Sequence, residues 1–117
     1  MYSAALLDHF ENPRNAGNVP AADATAQLEN PVCGDVLELT ARFSEGTIVE
    51  ICFRAKGCVP AMASGSAITE LVKGSKIGEA RQIRKEELIE KLGGLPPASA
   101  HASQLALDTL SALLANR

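Results

Sequence analysis

Hydrophobic and polar residues alternate with a period of two over two neighbouring segments, residues 36–43 and 47–55. This period is typical of strands with one buried face. The first segment directs alternate residues to the core, namely Leu37, Leu39, Ala41 and Phe43. In the second segment we expect the core face to consist of Val49, Ile51, Phe53 and Ala55. Because only Ser44-Glu45-Gly46 separates the two segments, they predict an antiparallel β-hairpin. Residues 25–29 predict a short edge strand.

Helical spacing of apolar residues predicts helices in most of the remaining chain. The first runs from a cap at Ser3 to about Glu11, with His9 on its surface. A second follows residue 58 and ends near Gly74, with Pro60 in its first turn, where the missing N–H is tolerated. Further helices are predicted over residues 75–83, 85–92 and 100–115, with an extended linker at 95–97. Strands precede most helices without βαβ alternation, which predicts an α+β fold with a small antiparallel sheet and helices on one face.

Length and composition narrow the class of protein. The chain has 117 residues, of which 46% are hydrophobic and 21% charged, as expected for a single globular domain spanning residues 1–117. A net charge of −3 argues against nucleic-acid binding, which normally requires a positively charged surface. No apolar run approaches the roughly 20 residues of a membrane helix. The N-terminus lacks the features of a signal peptide, so we expect a cytoplasmic protein with no membrane partner.

The three cysteines are an odd number, which argues against a disulfide framework and favours reactive or metal-binding thiols. Cys33 lies in a turn beside a glycine, followed by the carboxylate of Asp35. Cys58 lies where a strand meets a helix, and the helix N-terminus is expected to favour its thiolate form. Cys52 lies in the middle of a strand, and we interpret it as a small buried hydrophobic residue.

Two further residues offer donor atoms at the ends of elements. Asp35, taken alone, also fits a turn or cap residue. His101 shares its helix face with Gln104 and Asp108, opposite the leucine stripe, so simple solvent exposure is the alternative to a binding role. Two thiols, a carboxylate and an imidazole at element ends together predict a metal or sulfur site.

Several short motifs in a fixed order carry a family resemblance. They are Glu11-Asn12-Pro13-Arg14-Asn15, Cys33-Gly34-Asp35, Gly57-Cys58, Ala61-Met62-Ala63-Ser64-Gly65-Ser66, Glu70-Leu71-Val72-Lys73-Gly74, Leu95-Pro96-Pro97 and His101. Over nearly its whole length the chain resembles the IscU/NifU N-terminal type of iron–sulfur cluster assembly scaffold. The resemblance implies a SufE/NifU-like domain with a three-stranded antiparallel sheet. It also implies a non-enzymatic scaffold that receives sulfur from a cysteine desulfurase, assembles a two-iron cluster and passes it to acceptor apoproteins.

The resemblance also implies roles for individual residues. Cys33 and Cys58 match two of the family's three cluster cysteines, Asp35 matches a carboxylate associated with cluster lability, and His101 matches the histidine before the third cysteine. Thiolates are preferred cluster ligands, and a weakly held carboxylate suits a cluster that must leave. Similar proteins bind zinc when no cluster is present, and these residues would supply four ligands for a tetrahedral zinc site.

The chain departs from the family pattern at two places. Ala102 occupies the position of the third cysteine, and Cys52, in mid-strand, is not placed to replace it. After Leu95-Pro96-Pro97 the chain continues with Ala98 and Ser99, where IscU proteins typically carry the valine and lysine of a chaperone-binding motif. The absent lysine argues against recognition by the dedicated heat-shock chaperone.

Three functions remain open from the sequence. The first is a cluster scaffold that works through Cys33, Asp35, Cys58 and His101. The second is a divergent zinc-binding protein that uses the same four residues. The third is a sulfur carrier in which Cys33 or Cys58 accepts a persulfide without any metal. Asp35 and His101 favour the first two, since a persulfide carrier requires neither.

Overall fold

The computed structural model describes residues 2–115 and contains a three-stranded antiparallel sheet. Strands β1 (Ala24–Glu29), β2 (Val36–Ser44) and β3 (Thr47–Lys56) follow one another in the sheet in chain order. The predicted hairpin and the predicted edge strand are both confirmed. Glu45 and Gly46 form the hairpin turn with φ values of 51° and 78°, the pair of positive angles that suits the twist of a tight hairpin.

Within the described residues, five α-helices accompany the sheet: α1 (Ala4–Glu11), α2 (Val59–Val72), α3 (Ile77–Ala80), α4 (Lys85–Lys91) and α5 (Ala100–Ala115). Ser3 caps α1 as predicted, its Oγ accepting the Leu6 N–H at 2.9 Å. The helix predicted over residues 75–83 is only one turn long and is capped at Lys76. A short 3-10 turn, Pro97–Ser99, takes up the end of the predicted linker and leads directly into α5. The α+β prediction is confirmed.

The prediction that Val49 belongs to the core face of β3 is wrong, because Ile48 occupies the core at the start of this strand. Ile48 is fully buried, whereas Val49 is only partly buried. The cause is a β-bulge: Arg42 pairs with Glu50 but Phe43 pairs with Ile48, so Val49 is an extra residue on β3. An inserted residue reverses the alternation beyond it, and a pattern of strict alternation cannot reveal this.

Small residues allow α2 to lie close against the sheet. Ala61, Ala63, Ser64 and Ala67 are almost completely buried, and Gly65 faces the sheet directly. A Cβ atom at position 65 would lie 2.6 Å from Phe53 Cδ2. Because α2 starts immediately after β3, this close packing also fixes the position of the junction that contains Cys58.

Gly65→Ala should destabilise the protein. The added methyl group would overpack the helix–sheet contact at a cost of about 1–3 kcal/mol, only partly offset by the roughly 1 kcal/mol that alanine gains in helix propensity. Gly78→Ala in α3 is the matched control, since its Cβ would meet nothing within 4 Å. Thermal unfolding should show a lower Tm for Gly65→Ala and an unchanged or higher Tm for Gly78→Ala. Equal Tm values for the two variants would contradict the close packing.

The surface position predicted for His9 is wrong. His9 is 5% exposed, and its Nδ1 lies 2.8 Å from Ser66 Oγ on α2. Its Nε2 lies 3.7 Å from Glu70 Oε1. Burial, together with the charge of Arg14, lowers the pKa of His9 despite the opposing effect of Glu70, so the neutral imidazole joins α1 to α2. The pattern of apolar residues in α1 does not reveal this polar contact, because it places only apolar side chains on the buried face.

Among residues 2–115, no helix combines the length and the apolar character needed to cross a membrane.

Candidate metal site

The open end of the β2–β3 hairpin brings the two cysteine-bearing segments together. Val36 pairs with Lys56, so Asp35 at the start of β2 lies beside the residues that follow β3. Asp35 is 2% exposed, and its Oδ1 accepts the backbone N–H of Cys58 at 2.9 Å. The carboxylate is therefore held between the strand end and the first residue before α2.

A tight turn orients Cys33 towards this carboxylate. Asn30 Oδ1 accepts the Val32 N–H at 3.0 Å, and the Gly34 N–H reaches the carbonyl of Asn30 at 2.7 Å. Gly34 has a φ of 77°, a conformation that glycine adopts without strain. The turn leaves Cys33 exposed, with its Sγ 3.1 Å from Asp35 Oδ2.

Gly57 is required by the close approach of Asp35. Its φ is 139°, and a Cβ at this position would overlap Asp35 Oδ1 and lie 2.8 Å from Asp35 Cγ. Any side chain here would push the carboxylate away from the cysteines. This role of Gly57 is not evident from the Gly57-Cys58 motif; the available signal in the sequence is a glycine at the very end of a strand.

The four predicted donor residues meet around one oxygen atom. Asp35 Oδ2 accepts the S–H groups of Cys33 and Cys58, both at 3.1 Å. His101 Nε2, from the first turn of α5, lies 3.6 Å from the same oxygen. Donor atoms of Cys33, Asp35 and His101 all lie within 4.8 Å of one another, and Cys58 joins them through Asp35. The side chain of His101 is 37% exposed, so this imidazole faces solvent on one side and Asp35 on the other.

Charge in the site is concentrated on Asp35. Burial by itself would raise the pKa of this carboxyl, but hydrogen bonds from Cys33 and Cys58 and the charge of His101 lower it overall. The pKa of Cys58 is raised to about 11, first by burial and then by its hydrogen bond to Asp35. The expectation that the helix N-terminus favours a Cys58 thiolate is therefore wrong for this structure. The Ala61 N–H does lower this pKa, but burial and the neighbouring carboxylate outweigh it.

Two other positions contribute no donor to this group. Cys52 pairs with Thr40 in the middle of the sheet, as predicted, but it is half-buried and not fully buried. Ala102 is 1% exposed and has no donor atom. Within residues 2–115 the site therefore contains two thiols, one carboxylate and one imidazole. This donor set fits zinc or iron, which accept sulfur and nitrogen ligands, better than it fits magnesium or calcium.

Comparisons with known proteins find similar sequences over almost the whole chain. A protein-family profile described as the NifU-like N terminal domain matches residues 1–116. The iron-sulfur cluster assembly scaffold protein IscU 1 of Archaeoglobus fulgidus is 43% identical over 110 residues, covering 94% of this chain and 72% of that protein. The scaffold protein IscU of Escherichia coli is 40% identical over 119 residues, covering 98% and 92%.

The fold has a similar counterpart among crystal structures. A putative iron-sulfur cluster assembly scaffold protein for the SUF system from Fervidobacterium islandicum superposes with a TM-score of 0.82. The two chains are 22% identical, and the match covers 97% of this chain and 96% of the other. At this identity the likeness supports the α+β fold alone.

Proposed function

Since this chain belongs to the NifU-like N-terminal domain family, we propose that it is a scaffold on which iron–sulfur clusters are assembled and from which they are transferred. The observation that carries the proposal is the convergence of Cys33, Cys58 and His101 on Asp35 Oδ2. Relatives at about 40% identity bear the name of cluster assembly scaffolds, which agrees with a carrier and not an enzyme.

The four residues contribute to the binding and release of the cargo in different ways. The thiols of Cys33 and Cys58 lose their protons and supply the strong sulfur ligands, the class that iron–sulfur clusters prefer. Asp35, already ionised and nearly fully buried, supplies a hard oxygen ligand that soft iron–sulfur centres hold weakly. Cys33 is exposed and His101 partly exposed, so an acceptor can reach the cargo from solvent. This combination suits assembly followed by release.

The partners follow from the same chemistry. A cysteine desulfurase supplies sulfur, acceptor apoproteins remove a two-iron cluster, and a cytoplasmic setting keeps the thiols reduced. Nothing in the residues after Leu95-Pro96-Pro97 supports a chaperone contact. Zinc can occupy the same four donors when no cluster is bound. The persulfide-carrier alternative is less favoured, because it gives no task to Asp35 or His101. At Cys58 it is also opposed by the pKa of about 11, since sulfur acceptance needs a thiolate.

Anaerobic reconstitution tests the proposal. Incubation with ferrous iron, cysteine, a desulfurase and a dithiol reductant that converts the delivered sulfur to sulfide should give visible absorption, and that absorption should pass to an added apo-ferredoxin. Cys58→Ala should abolish the signal, whereas Cys52→Ala, which removes a thiol outside the donor group, should retain it. A folded protein that holds no iron–sulfur species under these conditions would refute the scaffold proposal.

Zinc affinity should rise with pH, because zinc must displace the Cys58 proton. With a pKa of about 11, Cys58 stays protonated across pH 6–8 until zinc displaces its proton. Binding should therefore release this proton and tighten about tenfold per pH unit for each thiol proton displaced. Chelator competition at several pH values measures the slope. Cys58→Ala should show a shallower slope than Cys52→Ala, and an affinity independent of pH would contradict Cys58 ligation.

A further inference from the structure

The side chain of Asn30 helps to close the turn that carries Cys33. Its Oδ1 accepts the Val32 N–H at 3.0 Å. Two backbone bonds also close the turn: the Gly34 N–H donates to the Asn30 carbonyl at 2.7 Å, and the Asn30 N–H donates to the Asp35 carbonyl at 2.8 Å. Any residue except proline could make this backbone pair. The bond to Val32 needs an acceptor on a short side chain, which asparagine supplies.

This side-chain bond acts on a part of the site that packing does little to hold. Val32 is 93% exposed, and Cys33 and Gly34 are exposed as well. Gly34 has a φ of 77°, and glycine has more backbone conformations open to it than any other residue. Among the described residues, Asn30 Oδ1 is the acceptor of the Val32 N–H. The position of Cys33 therefore depends mainly on hydrogen bonds within its own turn.

Cys58 is held by different contacts. It is the residue before α2, and its N–H donates to Asp35 Oδ1 at 2.9 Å. It is also partly buried, unlike Cys33. These contacts do not involve residues 30–34. A change in the side chain at position 30 should therefore affect Cys33 and leave Cys58 in place.

We propose that Asn30 is a positioning residue that sets how long Cys33 stays bound to the cargo. The inference rests on the proposed function, because it requires a metal or cluster held by Cys33. When Cys33 leaves the metal, the bond to Val32 keeps the turn in the conformation that rebinds. Without this bond the turn samples more conformations, and rebinding costs more conformational entropy. Asn30 supplies no ligand and acts through Cys33, the exposed thiol at which an acceptor can open the site.

Alkylation of the zinc-loaded protein tests each thiol separately. The thiolate is the form that reacts with iodoacetamide, and coordination to zinc occupies it. Mass spectrometry of the peptides gives one rate for Cys33 and one for Cys58, each divided by its rate without zinc. In Asn30→Ala the normalised rate at Cys33 should rise about three- to tenfold, the factor for loss of one hydrogen bond. The rate at Cys58 should not change.

Conservative variants separate the hydrogen bond from other effects of the substitution. Asn30→Asp keeps an acceptor for the Val32 N–H and should protect Cys33 as the parent protein does. Asn30→Ser, which offers this bond more weakly and adds no charge, should fall between Asn30→Ala and the parent protein. Asn12→Ala is the matched control, because Asn12 Nδ2 donates to Asp8 Oδ1 at 3.0 Å at the end of α1. It should leave both thiols protected.

The outcomes separate this inference from the proposed function. If zinc leaves Cys33 unprotected in the parent protein, the four-donor site and the positioning role both fail. If zinc protects both thiols and Asn30→Ala changes neither rate, the positioning role alone fails. It also fails if Cys33 and Cys58 lose protection by the same factor, or if Asn30→Asp reacts as fast as Asn30→Ala.

Discussion

Gly57→Ala should abolish metal binding and destabilise the protein. The new methyl group would overlap Asp35 Oδ1, and the backbone at this position has a φ of 139° that alanine adopts only with strain. Moving the Asp35 carboxylate would break its hydrogen bond from the Cys58 N–H and separate the donors that meet at Oδ2. We expect a loss of about 2–4 kcal/mol in the free energy of unfolding, from backbone strain and overpacking together.

Gly74→Ala is the control that separates the steric clash with Asp35 from the strain of a positive φ at alanine. Gly74 also has a positive φ, 85°, but a Cβ there would meet nothing within 4 Å. It should therefore lose only about 1–2 kcal/mol and keep the zinc affinity of the parent protein. Zinc titration and urea unfolding of both variants provide the comparison. Normal zinc affinity in Gly57→Ala would show that the contact with Asp35 does not organise the site.

Asp35→Ala should weaken zinc retention by at least tenfold. Loss of a partner that merely orients a metal ligand weakens affinity about 10–100-fold, and Asp35 is expected to act as a ligand itself. Its removal also leaves the Cys58 N–H without its acceptor. One effect opposes this, since Asp35 raises the pKa of Cys58 and its loss should ease formation of the thiolate. We expect loss of the ligand to dominate, because only two thiols are present among the donors.

Asp23→Ala provides the control for Asp35→Ala. The Asp23 carboxylate likewise accepts a backbone N–H, from Phe43 at 2.8 Å, but it belongs to the loop before β1. Its removal should lower stability without changing zinc affinity. Chelator competition measures both variants. Stronger metal retention in Asp35→Ala would mean that the carboxylate promotes release and is not a standing ligand.

The alternation of hydrophobic residues and the residues that start and end helices predicted most of the fold. Alternation follows from which side of a strand is buried, and the helix ends follow from local backbone chemistry. The predicted residues 100–115 match α5, and the predicted strand over 36–43 matches β2 apart from one added residue. Errors arose where one local contact changes the pattern. The bulge at Val49 reverses the alternation of β3, and a partner on α2 draws His9 into the interior.

The candidate site was predictable in its residues but not in its arrangement. Thiols, a carboxylate and an imidazole at element ends identified the donors, since these types bind metals wherever the chain brings them together. The central place of Asp35 depends on the register between β2 and β3 and on the space left by Gly57. The raised pKa of Cys58 depends on burial and on Asp35 in three dimensions, which the helix-terminus argument from sequence could not include.

We propose that Cys33, Asp35, Cys58 and His101 together hold a metal. Metal analysis and an absorption spectrum of the protein purified without oxygen would test this claim. We predict bound iron with visible absorption, or zinc in its place, and loss of that metal in Cys58→Ala but not in Cys52→Ala. A folded wild-type protein that carries no metal and takes up neither iron nor zinc would contradict the claim.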